Sequence, residues 1–255
     1  MWALLPLKIF VQAKQRLAGS ITASERWALF HAMVEDVIEV LASYPRFEQV
    51  VLVSDDPAAH SLAEHYGVVC WPERDFGEQG LNAVVGAALA NIHRIAPHRN
   101  VMVVHGDLPL LSHSELDTVL NAHTELLNEG APGFSIVTDY YRRGSNILVC
   151  HPARMPVLAY GQDSCEQHAR QAQRLGIATQ ILHLPGIAQD IDTRSDLLRL
   201  LAMPTSSAGR HTLKFLHASG IAQRLSLTGD EVNIKANTKG LLMPITSAMS
   251  GWNTL

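Results

Sequence analysis

The sequence predicts an α/β domain built on a largely parallel sheet. Three observations carry that prediction. Short continuous apolar runs, such as Val50 to Val53 and Val101 to Val104, have the length and lack of alternation of strands buried on both faces. Segments with apolar residues at helical spacing lie between them. Glycine, proline and aspartate punctuate the junctions. At 255 residues, 47% hydrophobic and 17% charged, the chain is long and apolar enough to bury a substantial core.

The elements follow in order. Trp2 to Phe10 reads as the first strand, with an irregular end because it carries Pro6 and Lys8. A loop from Val11 to Gly19 holds Lys14 and Arg16. Thr22 or Ser24 then caps a helix over about 25–42, with Trp27, Phe30, Met33, Val34, Val37, Ile38 and Leu41 on one face. After the strand at 50–53, Pro57 opens a helix that Gly67 closes near Tyr66. Val68 to Cys70 is a short third strand, followed by a polar loop to Gln79. Gly80, Leu81 and Asn82 open a helix of small residues running to Ile95. Beyond the strand at 101–104 come a helix over 112–128, strands at 133–138 and 145–149, and a helix from about Ser164 to Leu175. Ser164 suits an N-cap, and His168 lies one turn further on the same face. Ile177 to Leu184 is the last strand, and a helix spans about 195–203.

The character changes after Pro204. The prediction is one domain over 1–204 and an extension over 205–255. That extension starts with linker-like Thr205 to Gly209, is net basic, is helical over 213–218, and forms a hairpin over 225–234 around Thr228-Gly229-Asp230. An arm over the domain and a homodimer contact are the two roles weighed for it.

Composition excludes several classes. The net charge of −4 argues against nucleic acid or an anionic membrane as a main partner. No apolar run reaches bilayer-spanning length, and the first residues lack the charged front and cleavage site of a secretory signal. Cys70, Cys150 and Cys165 form no CxxC pair and read as reduced thiols of a cytoplasmic protein. There is no HExxH, no GxGxxG, no GxxxxGK[ST] and no GxSxG.

What remains are three features at loop ends. Asp107 follows a buried strand at the sheet edge where ligands bind in open α/β folds. It is either a metal-bearing carboxylate or a turn residue. The loop with Lys14 and Arg16 is either a phosphate cradle or a solvated helix start. Asp190 and Asp192 are two apart, so an extended chain points both to one side. Such a pair repels unless a cation sits between, whereas a helix cap explains only one of the two. Asn82 either offers its amide to a base edge or caps its helix. Arg142 and Arg143 either meet an acidic substrate or form a solvated hairpin tip. A cationic loop with split carboxylates suits Mg²⁺, which binds through a few carboxylates and substrate phosphates.

Taken together, several short motifs resemble the 2-phospho-L-lactate/phosphoenolpyruvate/3-phospho-D-glycerate guanylyltransferase family of deazaflavin coenzyme F420 biosynthesis. The matching pieces are Pro6-Leu7-Lys8 with Ala13-Lys14-Gln15-Arg16-Leu17-Ala18, then Val53-Ser54-Asp55-Asp56-Pro57, Gly80-Leu81-Asn82-Ala83 and Gly106-Asp107-Leu108-Pro109-Leu110-Leu111. Gly144-Ser145-Asn146 follows, then Gly161 with Ser164 and His168, and Asp190-Ile191-Asp192-Thr193 with Asp196-Leu197. They cover roughly the first four-fifths of the chain.

The resemblance implies a nucleotide-diphospho-sugar-transferase-like (GT-A-type) fold: an open mixed, mostly parallel sheet with helices on both faces. It implies a cytoplasmic nucleotidyltransferase that uses GTP and a three-carbon phospho-acid. Asp107, Asp190 and Asp192 are then the metal carboxylates, and Lys14 and Arg16 the phosphate clamp. Gly80 and Asn82 belong to the guanine site, and Ser145, Gly161, Ser164 and His168 to the acceptor site. Lys14, Arg16 and Asp107 are the catalytic set. The chain departs from the family's usual pattern at His105-Gly106, where a pair such as Pro-Ala is common. Ser145 stands for a frequent threonine and Cys165 for a frequent phenylalanine. Among the acceptors the reading leans to 3-phospho-D-glycerate or phosphoenolpyruvate. The competing readings are another enzyme of the same fold, a molybdenum-cofactor guanylyltransferase or a glycosyltransferase, and a non-catalytic GTP-binding protein.

Overall fold

The structure, a computed structural model, describes residues 1–128, 132–203 and 208–227. Seven strands form one sheet: β1 (Trp2–Pro6), β2 (Gln49–Val53), β3 (Val69–Trp71), β4 (Val101–Val104), β5 (Gly133–Thr138), β6 (Ser145–Cys150) and β7 (Ala178–Leu182). Their spatial order is β3-β2-β1-β4-β6-β5-β7. All neighbours run parallel except β6, which is antiparallel to both β4 and β5. The mixed, mostly parallel sheet expected from the sequence is therefore present.

Helices cover both faces because the central strands are apolar on both sides. On one face pack α1 (Ala23–Ser43), α2 (Pro57–Tyr66), α4 (His113–Asn128), α6 (Arg194–Ala202) and the pair α7 (Arg210–Ala218) and α8 (Ile221–Leu227). On the other pack α3 (Leu81–Ile95) and α5 (Ser164–Arg174). Thr22 caps α1 in a reciprocal box with Glu25, and Asp56 caps α2 ahead of Pro57. None of the helices among the described residues is long and apolar enough to cross a membrane.

Several expectations need correction. The first strand ends at Pro6, not Phe10, because the chain turns into two short 3₁₀ segments, Phe10–Gln12 and Gln15–Leu17. Ser164 does not cap α5. Asp163 holds that position at φ 52°, and Ser164 is the first helical residue. Residues 225–227 close a helix instead of opening a hairpin, and the rest of the expected hairpin, like linker residues 205–207, lies outside the described residues. The described part of the extension, residues 208–227, lies over the domain. Helix α7 packs on α1, where buried Asp36 accepts from the backbone N–H groups of His211 (2.8 Å) and Thr212 (2.9 Å) and from the Thr212 hydroxyl (2.6 Å). Asp36 thus satisfies two N–H groups of α7's first turn, whose own N-cap is Gly209.

Strand order places the site. From β1 the chain moves outward to β2 and β3, then returns through α3 to β4 on the other side of β1. The crevice at the carboxyl ends of β1 and β4 is the topological switch point of the sheet. The loop after β1 carries Lys14, and the loop after β4 carries Asp107.

Candidate active site

Residues far apart in the chain converge on that crevice. The Lys14 ammonium donates to Asp107 Oδ2 at 2.6 Å and to Asp192 Oδ1 at 2.7 Å. Its side chain is only 4% exposed. Burial works against its charge, but Asp107 and Asp192 hold its pKa above the ordinary lysine value. Burial likewise opposes the Asp107 carboxylate, and Lys14 and His105 hold its pKa below the usual range. Arg16 reaches Asp192 at 3.6 Å from a side chain that is 77% exposed. Asp190 stands just behind, accepting from Asn146 Nδ2 at 3.2 Å. Burial and then the charge of Asp107 push its pKa up to about 6, with Asp192 adding to the effect. Asp192 is not a helix cap, because Thr193 and Asp196 form the capping box of α6. Both acids of the pair therefore lie in the site without a capping role.

Local backbone conformation makes this convergence possible. Lys14 is left-handed at φ 55°, a conformation that costs a non-glycine residue about 1–3 kcal/mol and that clusters at functional sites. The loop that holds it is tied down by Asp56, whose Oδ2 accepts from the Phe10 N–H at 2.6 Å. Gly106 precedes Asp107 because a Cβ there would lie 2.5 Å from Leu7 Cδ2. The 186–192 loop is pinned three ways. Glu115 accepts from the N–H groups of Gly186 (2.7 Å) and Ile187 (3.1 Å), Asn146 Nδ2 donates to Ile187 O (2.8 Å), and the Ile191 N–H donates to Asp107 O (3.2 Å).

Asp107 and Asp192 border a cleft of about 390 Å³ that Lys8, Gln12, Lys14, Arg16, His105 and Leu81 also line. A second recess of about 300 Å³ continues it past Lys8 and Leu81 toward Asp55, Glu73 and Gly80. Gly80 lines this second recess, at φ 84°. Asn82 lines neither recess, and it does not cap its helix. Its amide instead clasps the Tyr160 backbone, donating to the carbonyl at 3.2 Å and accepting from the N–H at 2.7 Å.

At the same sheet edge a second polar group is buried. Ser145, Ser164 and His168 are joined by hydrogen bonds: His168 Nδ1 lies 3.0 Å from Ser145 Oγ, and Ser164 donates to Ser145 Oγ at 3.3 Å. Gly161, at φ 136°, shapes the loop between them. That loop is anchored at one end by Asn82 and at the other by the Arg143 Nε to Asp163 Oδ1 bond of 2.6 Å. Arg143 is therefore a clamp. Between the two groups stands His105, its ring 5.0 Å from that of Tyr160, which is 5.2 Å from that of His168.

All eleven anticipated residues are thus placed. Lys14, Arg16, Asp107, Asp190 and Asp192 form one group, Ser145, Ser164 and His168 another, with Gly161 beside the second, Gly80 at the far end of the cleft and Asn82 outside it. The sequence reading gave no role to Lys8, Asn146, Glu115 or Asp56. Asn146, Lys8 and Asp56 lay inside quoted motifs, but Glu115 carries no signal beyond its ordinary position at a helix start. The three acids do not share one point in this conformation. Among the described residues, the one trio of side chains with potential ligand atoms all within 4.8 Å is Asp36, Glu39 and His211 on α1 and α7. Asp36 there is already committed to the α7 backbone.

The profile of a family described as "Guanylyl transferase CofC like" matches residues 1–236. A phosphoenolpyruvate guanylyltransferase of Conexibacter woesei is 34% identical over 224 residues, covering 85% of this chain and 95% of that one. Another, of Roseiflexus castenholzii, is 30% identical and covers 86% and 97%. Among solved structures, a candidate nucleotide-diphospho-sugar transferase from Desulfovibrio desulfuricans G20 superposes with a TM-score of 0.68 at 14% identity, covering 88% of this chain and 97% of that one. A 4-diphosphocytidyl-2C-methyl-D-erythritol synthase gives 0.54 at 15% identity, covering 78% and 96%. These structural likenesses show the fold.

Proposed function

The chain belongs to the CofC-like guanylyl transferases, and from that premise we propose that it moves GMP from GTP onto the phosphate of phosphoenolpyruvate, releasing pyrophosphate. It is a nucleotidyltransferase. The acceptor comes from the names of its relatives. The same reading puts the product on the route to coenzyme F420. The observation that carries it is the junction at the switch point. Lys14 from the β1 loop bonds Asp107 after β4 and Asp192 after β7, beside Asp190.

The donor set fits a magnesium ion. Three carboxylates crowd one edge with a single buried lysine among them, and hard oxygen ligands of this kind suit Mg²⁺. Asp107, Asp190 and Asp192 would hold it, and when bound it supplies charge neutralisation for a triphosphate.

The chain's own residues do the rest. Lys14 and Arg16 place positive charge where the phosphates enter, which favours the crowded anions of an in-line displacement. An acceptor phosphate oxygen bonds to the α-phosphorus of GTP, and the bond to the β-phosphate bridging oxygen breaks. A phosphomonoester is largely dianionic above its second pKa of ~6, so it attacks without a general base. His168 is not such a base, because both its nitrogens are hydrogen-bonded inside the protein. The Ser145 hydroxyl receives an anionic oxygen of the acceptor, with Ser164 bonded behind it.

The test is a product assay with GTP, Mg²⁺ and phosphoenolpyruvate, 3-phospho-D-glycerate and 2-phospho-L-lactate in competition. Pyrophosphate release with the phosphoenolpyruvate adduct dominant is expected. Dominance of another adduct overturns the acceptor, and no release with any of the three overturns the reaction.

A further inference from the structure

We infer that His168 is a positioning residue that turns Ser145 into a hydroxyl able only to donate toward the acceptor. The inference deepens the reading of Ser145 as an acceptor contact and rests on it. The argument is a count of protons and lone pairs. His168 is fully buried. Its Nε2 receives the Ala159 backbone N–H at 2.8 Å. A nitrogen that accepts a hydrogen bond carries no proton, so the single proton of the neutral ring is on Nδ1. That Nδ1–H points at Ser145 Oγ, 3.0 Å away. Burial, reinforced by His105, pushes the His168 pKa down to about 4 and keeps the ring neutral.

Ser145 Oγ therefore accepts from His168, and it also accepts from the Ser164 hydroxyl at 3.3 Å. A hydroxyl oxygen has two lone pairs, and both are now used. The Ser145 proton has no acceptor among the described residues. A satisfied core histidine accounts for both of its own bonds. It does not account for two donors converging on one hydroxyl that still has a proton to give. Ser145 opens β6 beside the end of β4, where the adjacent Asn146 carbonyl accepts from the His105 N–H at 3.3 Å. Ser145 is thus next in the chain to Asn146, whose side chain donates to Asp190. A group of this polarity binds a carboxylate or phosphate oxygen and leaves a competing donor, such as an amide or alcohol, unpaired.

Two measurements test this on the full-length protein. In the wild type, a ¹⁵N-edited imidazole spectrum should show His168 as the Nδ1–H tautomer, and the Nε2–H tautomer overturns the inference. The second measurement is a double-mutant cycle of Ser145→Ala and His168→Phe, read as KM for phosphoenolpyruvate and for GTP. Each single change should raise the acceptor KM roughly ten- to a hundredfold, the worth of one hydrogen bond to an anion. The double variant should be no worse than Ser145→Ala, with the GTP KM unmoved throughout. Fully additive losses, or an equal rise in the GTP KM, overturn the positioning role. If Ser145→Ala leaves the acceptor KM unchanged, the acceptor reading itself falls, and the inference with it. His168→Gln replaces the phenylalanine variant in the cycle should that one fail to fold.

Discussion

Replacing Lys14 with methionine separates the two demands that the site makes on this residue. Its ammonium lies 2.6 Å from Asp107 and 2.7 Å from Asp192. With an effective dielectric of about 20, each contact is worth ~6 kcal/mol before desolvation. Desolvating the buried lysine and the two partly buried carboxylates consumes most of that sum, but removing one partner is a different matter. It leaves two carboxylates facing each other with their desolvation unrelieved, at a cost of ~2–3 kcal/mol, less than for a fully buried pair because the Asp192 side chain is 40% exposed. The Lys14→Met protein should lose about that much stability in urea titrations with a chelator present. Magnesium should then recover more stability in the variant than in the wild type, because the ion no longer competes with an ammonium for the same oxygens. Guanylyl transfer should still fall at least ~10²-fold, since positive charge at the phosphates is lost. Arg16→Met is the contrast: an exposed pair at 3.6 Å contributes no more than ~1 kcal/mol to stability, so its effect should appear in the GTP KM. Equal magnesium increments in wild type and Lys14→Met, or wild-type stability of that variant in chelator, would refute the claim that the lysine and the ion share these carboxylates.

Three further outcomes are expected. Asp107→Asn should abolish GTP-dependent product formation while the far-UV circular dichroism and cooperative unfolding persist; near-normal turnover would remove the metal assignment. His123 is buried and its pKa is pushed down to about 4 by that burial, so the stability it confers is present above pH ~6.5 and is lost as pH falls toward 4. Between about pH 7 and 4.5 that loss is ~2.5 kcal/mol, and His123→Phe should flatten the pH dependence of the urea midpoint by this amount; an unchanged slope would count against it. Asp36→Ala should raise amide hydrogen exchange across 210–218 by ~30-fold or more, because the first-turn N–H groups of α7 lose a buried acceptor worth ~2 kcal/mol or more; unchanged protection there would show that α7 docks without it.

What the sequence disclosed and what it concealed divide along a physical line. Val101 to Val104 is a strand because four β-branched or long apolar residues in a row leave no polar face for a helix or an edge. The same logic overextended the first strand. Leu7 and Phe10 are buried as their character demands, yet they are buried in a turn, since hydrophobicity reports burial and not conformation. Ser164 misled for a related reason. It is a capping residue by type, but its hydroxyl has a better partner in Ser145, 19 residues away, and Asp163 takes the cap position.

Asp107, Asp190 and Asp192 were legible because charged groups at strand ends are expensive to bury, and so stand out against an apolar background. Their partner was visible only as a loop lysine. The pairings span 93 residues to Asp107 and 178 to Asp192, and only the return of the chain through β4 and then β7 brings them together. Asn82 and His168 were the hardest to read. Each spends its polar atoms on protein groups rather than on solvent, so neither spacing nor residue type separates a positioning role from an ordinary buried polar residue. The difference lies in what the partner has left to give. Asn82 ends on a backbone whose own groups it satisfies. His168 ends on a hydroxyl that keeps one proton for something else. That residual proton is a property of three residues jointly, and it becomes visible only when their bonds are counted together.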